Sequence, residues 1–237
     1  MKKNLLLIFM SIIIIVLLVV TIINNIEFKE LKSQIRVQNN NNNTQEEKTT
    51  KKIMKNENIV FFGDSITQLY PLEDIYGKKQ IVRSGVSGYK TTDLLEKMDT
   101  MLYQYNPTKV ILLIGTNDIM RDVSEEKQEE TVNNIKEICT KIKQNRPLAK
   151  IYVESLYPVN RNMKEEMVAE RNNEVIQKIN SNIEEYCKKE KITYINMYDE
   201  LTDADGNFAE KYTYDGLHPS TLGFAKITKV LMPYIYE

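Results

Sequence analysis

The sequence predicts an α/β domain, a three-layer α/β/α sandwich on a five-stranded parallel sheet, preceded by an N-terminal transmembrane helix. Three observations carry this expectation. From Asn58 onward, short and almost continuously apolar runs alternate with longer segments of helical periodicity. Such alternation produces a parallel sheet covered by helices on both faces. Several runs end in glycine followed by small polar residues, as strands do when they turn towards a helix. Finally, the chain opens with an uncharged apolar stretch, Leu5 to Ile23.

That stretch, "LLLIFMSIIIIVLLVVTII", is about as long as a bilayer's hydrocarbon core is thick. Asn24-Asn25-Ile26 follows directly, with no small-residue cleavage site, so residues 5–23 read as an uncleaved signal anchor spanning the lipid bilayer. A cleaved signal peptide is the alternative. Lys2 and Lys3 in the four-residue head, 1–4, favour a cytoplasmic N-terminus and an extracytoplasmic domain, although Lys29, Lys32 and Arg36 nearly balance the count. Residues 24–57 form a polar linker too poor in apolar surface to fold alone, with a short helical stub possible from Ile26 to Val37.

Residues 58–237 then form one domain. "NIVFFG", "KQIVRSG", "KVILLIG", "AKIYVES" and "ITYINM" are the five strands, and continuous apolarity marks the third as covered on both faces. Leu94, Leu95, Met98 and Leu102 place a helix before Pro107. Ser124 caps a second, with Val132, Ile135, Cys139 and Ile142 on one side. A third runs from about Lys164 to Lys189, and Pro219 opens a last one containing Phe224, Ile227 and Leu231. This succession is flavodoxin-like.

Composition narrows the function classes. The 237 residues carry a formal net charge of −1 with charges of both signs, so no nucleic-acid partner is indicated. Cys139 and Cys187 lack metal-ligand spacing; they read as half-buried thiols, with a disulfide between neighbouring helices as the alternative. "DADGN", 203–207, has its glycine too early for a calcium loop and reads as a turn. "GVSGYKTT" has the wrong glycine spacing for a phosphate-binding loop. No cofactor or metal is expected.

In an open parallel sheet, sites form at the carboxyl ends of the strands. Gly63-Asp64-Ser65, Ser84-Gly85, Gly115-Thr116-Asn117-Asp118 and Asp215-Gly216-Leu217-His218 all fall on that rim. Ser65, at a strand-to-helix turn, is a candidate nucleophile, and His218 is the only histidine available to take its proton. Asp215, three residues earlier, can hold the far ring nitrogen. The Ser65 and Gly85 N–H groups and the Asn117 amide are candidate oxyanion-hole donors. Singly, Ser65 and His218 read equally well as caps, and Asp215, Asn117 and Asp118 as turn formers. Asp64 is expected to hold the turn beneath Ser65.

"FFGDSIT", "SGVSG", "IGTND" and "DGLHP", in this order, resemble the four blocks of the SGNH (GDSL-type) hydrolase family across residues 58–236. The resemblance implies Ser65 as nucleophile, His218 as base, Asp215 as its orienter, and Ser65, Gly85 and Asn117 as oxyanion donors, without a cofactor. Arg83-Ser84 departs from the Asn-Arg found in many relatives before the glycine. The implied activity is hydrolysis of carboxylic esters, small-molecule or polysaccharide, with O-acetyl groups of the cell envelope the first expectation given the anchor. A lysophospholipase- or thioesterase-like acyl hydrolase, or a non-catalytic binding module keeping the fold, are the alternatives. "YPVNRNMKEEM", 157–167, is expected to form a loop over the site.

Overall fold

The computed structural model describes residue 19 and residues 22–34, 57–77 and 80–237. The head, most of the anchor and the second half of the linker lie outside the described residues. Among the described residues no helix is long and apolar enough to cross a membrane. Residues 22–34 are helical, covering most of the stub expected from Ile26, with Lys32 Nζ 4.9 Å from the Phe28 ring centre one turn away. This helix belongs to one compact unit, Met1–Glu47, and the sheet to the other, Lys48–Glu237.

Five strands form one parallel sheet: β1 Ile59–Gly63, β2 Ile81–Gly85, β3 Lys109–Leu113, β4 Lys150–Glu154 and β5 Thr193–Ile195, in the order β2-β1-β3-β4-β5. Every residue of β1 and β3 is buried, as strands covered on both faces require. The register sets Gly63 beside both Gly85 and Leu113, so the ends of β2, β1 and β3 lie level. The chain leaves β1 in one direction and returns on its other side as β3. The crevice between their carboxyl ends is therefore a topological switch point, where open α/β sheets bind ligands.

The helices are α1 Ser65–Leu69, α2 Leu72–Tyr76, α3 Thr91–Glu96, α4 Met98–Met101, α5 Glu125–Asn145, α6 Glu165–Val168, α7 Asn173–Glu190, α8 Met197–Leu201 and α9 Thr221–Tyr236. α5 follows its sequence signals: the Ser124 hydroxyl accepts from Lys127 N–H, and Val132, Ile135, Cys139 and Ile142 are buried. Each such aliphatic side chain contributes about 1.5–3 kcal/mol on leaving water. Arg83, the departure noted in the sequence, ties down the end of α1 by donating from Nη1 to the Gln68 and Tyr70 carbonyls at 3.1 and 3.3 Å.

Three expectations are corrected. The helix read through 91–105 is broken into α3, α4 and a 3-10 turn, Tyr103–Tyr105, because Lys97 and Leu102 depart from helical geometry, and a left-handed Asn106 ends the turn. Pro219 does not open the last helix: it pairs with Thr213 in an isolated bridge, and Ser220 is the cap, its hydroxyl accepting from Gly223 N–H at 3.1 Å. The helix read from Lys164 to Lys189 is two helices. Ala169 sits at φ 54 between them, and Asn172 caps the second by accepting from Val175 N–H. Cys139 and Cys187, on the packed pair α5 and α7, are free and buried. Burial pushes both thiols up, Cys187 to about 12, which makes them poor nucleophiles.

Candidate active site

The turn from β1 into α1 builds the first part of the site. Asp64 caps α1, with Oδ1 accepting from Ile66 N–H at 3.0 Å, and Ser65 is the first helical residue. The cap belongs to Asp64, which leaves the Ser65 hydroxyl available. Gly85, the last residue of β2, lets α1 lie against it: a β-carbon there would stand 2.6 Å from Asp64 O and Gln68 N. Close approach alone requires glycine at 85, whatever its N–H does.

The turn before α9 supplies the rest. Ser65 Oγ lies 3.0 Å from His218 Nε2, and His218 Nδ1 lies 2.8 Å from Asp215 Oδ2. The other Asp215 oxygen accepts from the backbone N–H groups of Leu217 and His218, at 3.0 and 2.7 Å. Burial pushes the Asp215 carboxyl up, but these bonds and the neighbouring imidazole outweigh it and hold it below its ordinary value. An ionised Asp215 fixes the proton on Nδ1, so Nε2 presents its lone pair to the serine. The Thr213 hydroxyl donates to His218 O at 2.7 Å and accepts from Gly216 N–H at 2.9 Å, bracing the turn. The Tyr214 ring stacks on the imidazole, 5.8 Å between centres at 15°.

Asn117 enters from the loop after β3. Its Nδ2 donates to Tyr89 O at 3.0 Å, and its Oδ1 accepts from Arg171 Nη2 at 2.9 Å. Asp118 beside it accepts from the Thr91 N–H and hydroxyl, tying the loop to α3. The structure thus bonds Ser65, His218 and Asp215 directly, and brings Gly85 against α1. Asn117 meets Tyr89 and Arg171 rather than Ser65 itself.

Residues 61–226 match the GDSL-like lipase/acylhydrolase family. The chain belongs to this family. A solved structure, described as a candidate platelet activating factor from Streptococcus pneumoniae, superposes with TM-score 0.71 at 35% identity, covering 89% of this chain and 93% of that one. The platelet-activating factor acetylhydrolase IB subunit alpha1 of Rattus norvegicus is 23% identical over 182 residues, 75% of this chain and 74% of its own. An N-acylneuraminate cytidylyltransferase of Escherichia coli is 36% identical over 115 residues, 48% of this chain; the chain spans only 25% of that relative's length. The acetyl xylan esterase AlAXEase shares the fold, with TM-score 0.63 at 16% identity, covering 75% of this chain and 99% of that one. As a GDSL-type acylhydrolase, the chain is an ester-hydrolysing enzyme.

In this acylhydrolase, sequence reasoning missed Arg171. It is only 2% exposed and donates to Thr116 O, Asn117 Oδ1, Met167 O and Val168 O. Val168 and Val175 are seven residues apart, two helical turns, so the apolar spacing runs straight through the break that turns Arg171 inward. The available signal was Asn172, a capping residue in mid-pattern. "DADGN" forms the expected turn: Asp203 Oδ1 accepts from the Asp205 and Asn207 N–H groups. Asn160, in the segment expected to cover the site, is bonded to the turn that carries Asp215 and His218. Its N–H donates to Gly216 O at 2.8 Å, and its side chain donates to Phe208 O at 3.0 Å.

Two of the buried carboxyls of this acylhydrolase, Asp64 and Glu154, stand at the carboxyl ends of β1 and β4. Burial pushes Asp64 up to about 7 against the Ile66 N–H bond and the Arg171 charge, which pull it down; Asp118 pushes it further up. Burial likewise raises Glu154, at the end of β4, to about 7, opposed by the Tyr157 hydroxyl donating at 2.7 Å. With folded values above the unfolded ones, these groups hold protons that the unfolded chain releases, so stability falls as pH rises from about 4.5 to 7. For Glu154, a rise from 4.5 to about 7 corresponds to roughly 3 kcal/mol lost across that window. Glu154→Gln, which mimics the neutral acid, should flatten the fall and be the more stable protein at pH 8. Urea midpoints from pH 5 to 8 check this; parallel wild-type and variant curves would show that Glu154 does not titrate there.

Proposed function

We propose that this acylhydrolase is a serine esterase that removes short acyl groups, O-acetyl first among them, through an acyl-enzyme. The observation that carries the reading is the continuous relay from Ser65 Oγ through His218 to Asp215, at 3.0 and 2.8 Å, at the switch point of a GDSL-type fold. Ser65 Oγ attacks the ester carbonyl carbon as His218 Nε2 takes its proton. The oxyanion is received by the Ser65 and Gly85 N–H groups and by Asn117 Nδ2. Collapse of the tetrahedral species breaks the bond to the alcohol, which leaves with the proton from His218. Water then repeats the sequence, releasing the acid and restoring Ser65.

Similarity to an acetylhydrolase and to an acetyl xylan esterase supports a short acyl group. The uncharged run Leu5 to Ile23 supports a tether that would hold the domain at the outer membrane face, near envelope polysaccharide.

Fluorophosphonate labelling of the full-length protein tests the mechanism. A probe that modifies wild type but not folded Ser65→Ala supports it; unmodified folded wild type would sink it in favour of a binding module. Hydrolysis of p-nitrophenyl acetate at least tenfold faster than of the decanoate supports the short-acyl reading, and the opposite preference favours the lysophospholipase-like one.

A further inference from the structure

We infer that Arg171 is a positioning residue for the oxyanion hole, acting by locking the Asn117 side-chain amide in one orientation. The inference rests on the esterase reading. A guanidinium has only donors, so the Asn117 atom 2.9 Å from Arg171 Nη2 must be the oxygen. The Tyr89 carbonyl has only lone pairs, so the atom 3.0 Å from it must be the nitrogen. Both neighbours therefore demand the same orientation, and turning the amide over would mispair both contacts at once. One Nδ2 hydrogen is taken by Tyr89 O. The second is left with a fixed direction, and that is the hydrogen the oxyanion receives.

Arg171 is itself held. Its Nε donates to Thr116 O at 2.6 Å, and Nη1 donates to Met167 O and Val168 O at 3.2 and 3.1 Å. The guanidinium thus joins the loop carrying Asn117 to the carbonyls at the end of α6. The break at Ala169 and the Asn172 cap are the local devices that turn it inward. A neutral residue of similar length would leave Asn117 Oδ1 unpaired and let the amide rotate.

The test is a double-mutant cycle on full-length protein with p-nitrophenyl acetate: Arg171→Met, Asn117→Ala, and both together. The expected result is a fall in kcat of about a hundredfold for Arg171→Met, with KM within threefold, because the lost interaction forms only with the oxyanion. In the Asn117→Ala background the same change should cost less than threefold. A merely structural role predicts equal losses in both backgrounds, and that outcome overturns the inference, as does an Arg171→Met kcat within threefold of wild type. Should Arg171→Met fail to fold, the cycle is run with Arg171→Lys, which keeps a charge but has three N–H hydrogens on one nitrogen for the four acceptors of the guanidinium fork. An intermediate kcat loss that vanishes without Asn117 is then expected, and an equal loss in both backgrounds overturns the inference. Wild type that neither hydrolyses nor takes the fluorophosphonate fails at the esterase reading and removes this role with it. Active wild type with an additive cycle removes only the role of Arg171.

Discussion

His218→Ala should lower kcat for p-nitrophenyl acetate by roughly 10³–10⁴-fold while the protein stays folded. The Ser65 hydroxyl has its proton acceptor 3.0 Å away in His218 Nε2, and this is the chain's one histidine, so no second imidazole can substitute. Asp215→Asn should cost nearly as much for a different reason. The asparagine oxygen can still accept from the Leu217 and His218 N–H groups, preserving the turn. Its amide nitrogen, however, would then face Nδ1 as a donor. The ring would be driven to carry its proton on Nε2, where it cannot accept from serine. In the proposed mechanism the three residues act as a unit, so Ser65→Ala combined with His218→Ala should be no slower than either alone. Steady-state kinetics on the four variants check the set; multiplied losses in the double variant would mean that the residues do not share one step.

Gly216→Ala should destabilise the domain by more than about 3 kcal/mol and abolish most activity. Gly216 lies at φ +84, and a β-carbon there would stand 2.1 Å from the backbone oxygen of Asn160. That oxygen cannot move freely, because the Asn160 N–H is bonded to Gly216 O and its side chain to Phe208 O. The turn must yield instead, and it carries Asp215 and His218. Gly206→Ala is the control: φ +81 is the same strain, but nothing lies within 4 Å of the added carbon. It should cost only about 1 kcal/mol and leave kcat unchanged. Urea midpoints with parallel kcat values decide; equal effects at the two glycines would show that conformation, not the contact with Asn160, sets the cost.

Much of this was legible in the sequence because strand burial and rim chemistry leave local marks. β1 and β3 are buried on both faces, so their apolar runs had no polar interruption to blur them. Ser65, Asn117, Asp215 and His218 stand immediately after such runs or before the last helix, where polar residues stand out. What escaped notice depends on tertiary partners. The helix broken at Ala169 keeps its apolar spacing across the break, so periodicity could not see it. Nothing local marked Arg171, because two of its acceptors come from the Thr116–Asn117 loop, more than fifty residues away. Asp64, by contrast, holds the turn beneath Ser65 as its place in the sequence suggested, capping α1 through Ile66 N–H. Most of the anchor lies outside the described residues.

The bond between Ser65 and His218 closes a loop of 153 residues, with β2, β3, β4 and β5 lying between its ends. Contacts of such sequence separation carry a large loop-closure cost that shorter-range pairings must first reduce. On a ribosome, the serine is made 153 residues before its histidine, so a nascent chain holds Ser65 without its partner while that stretch is added. In refolding from denaturant, regain of hydrolysis would report the last long-range closure and trail the return of helical signal. Catalysis in this fold is thus also a readout of completed assembly.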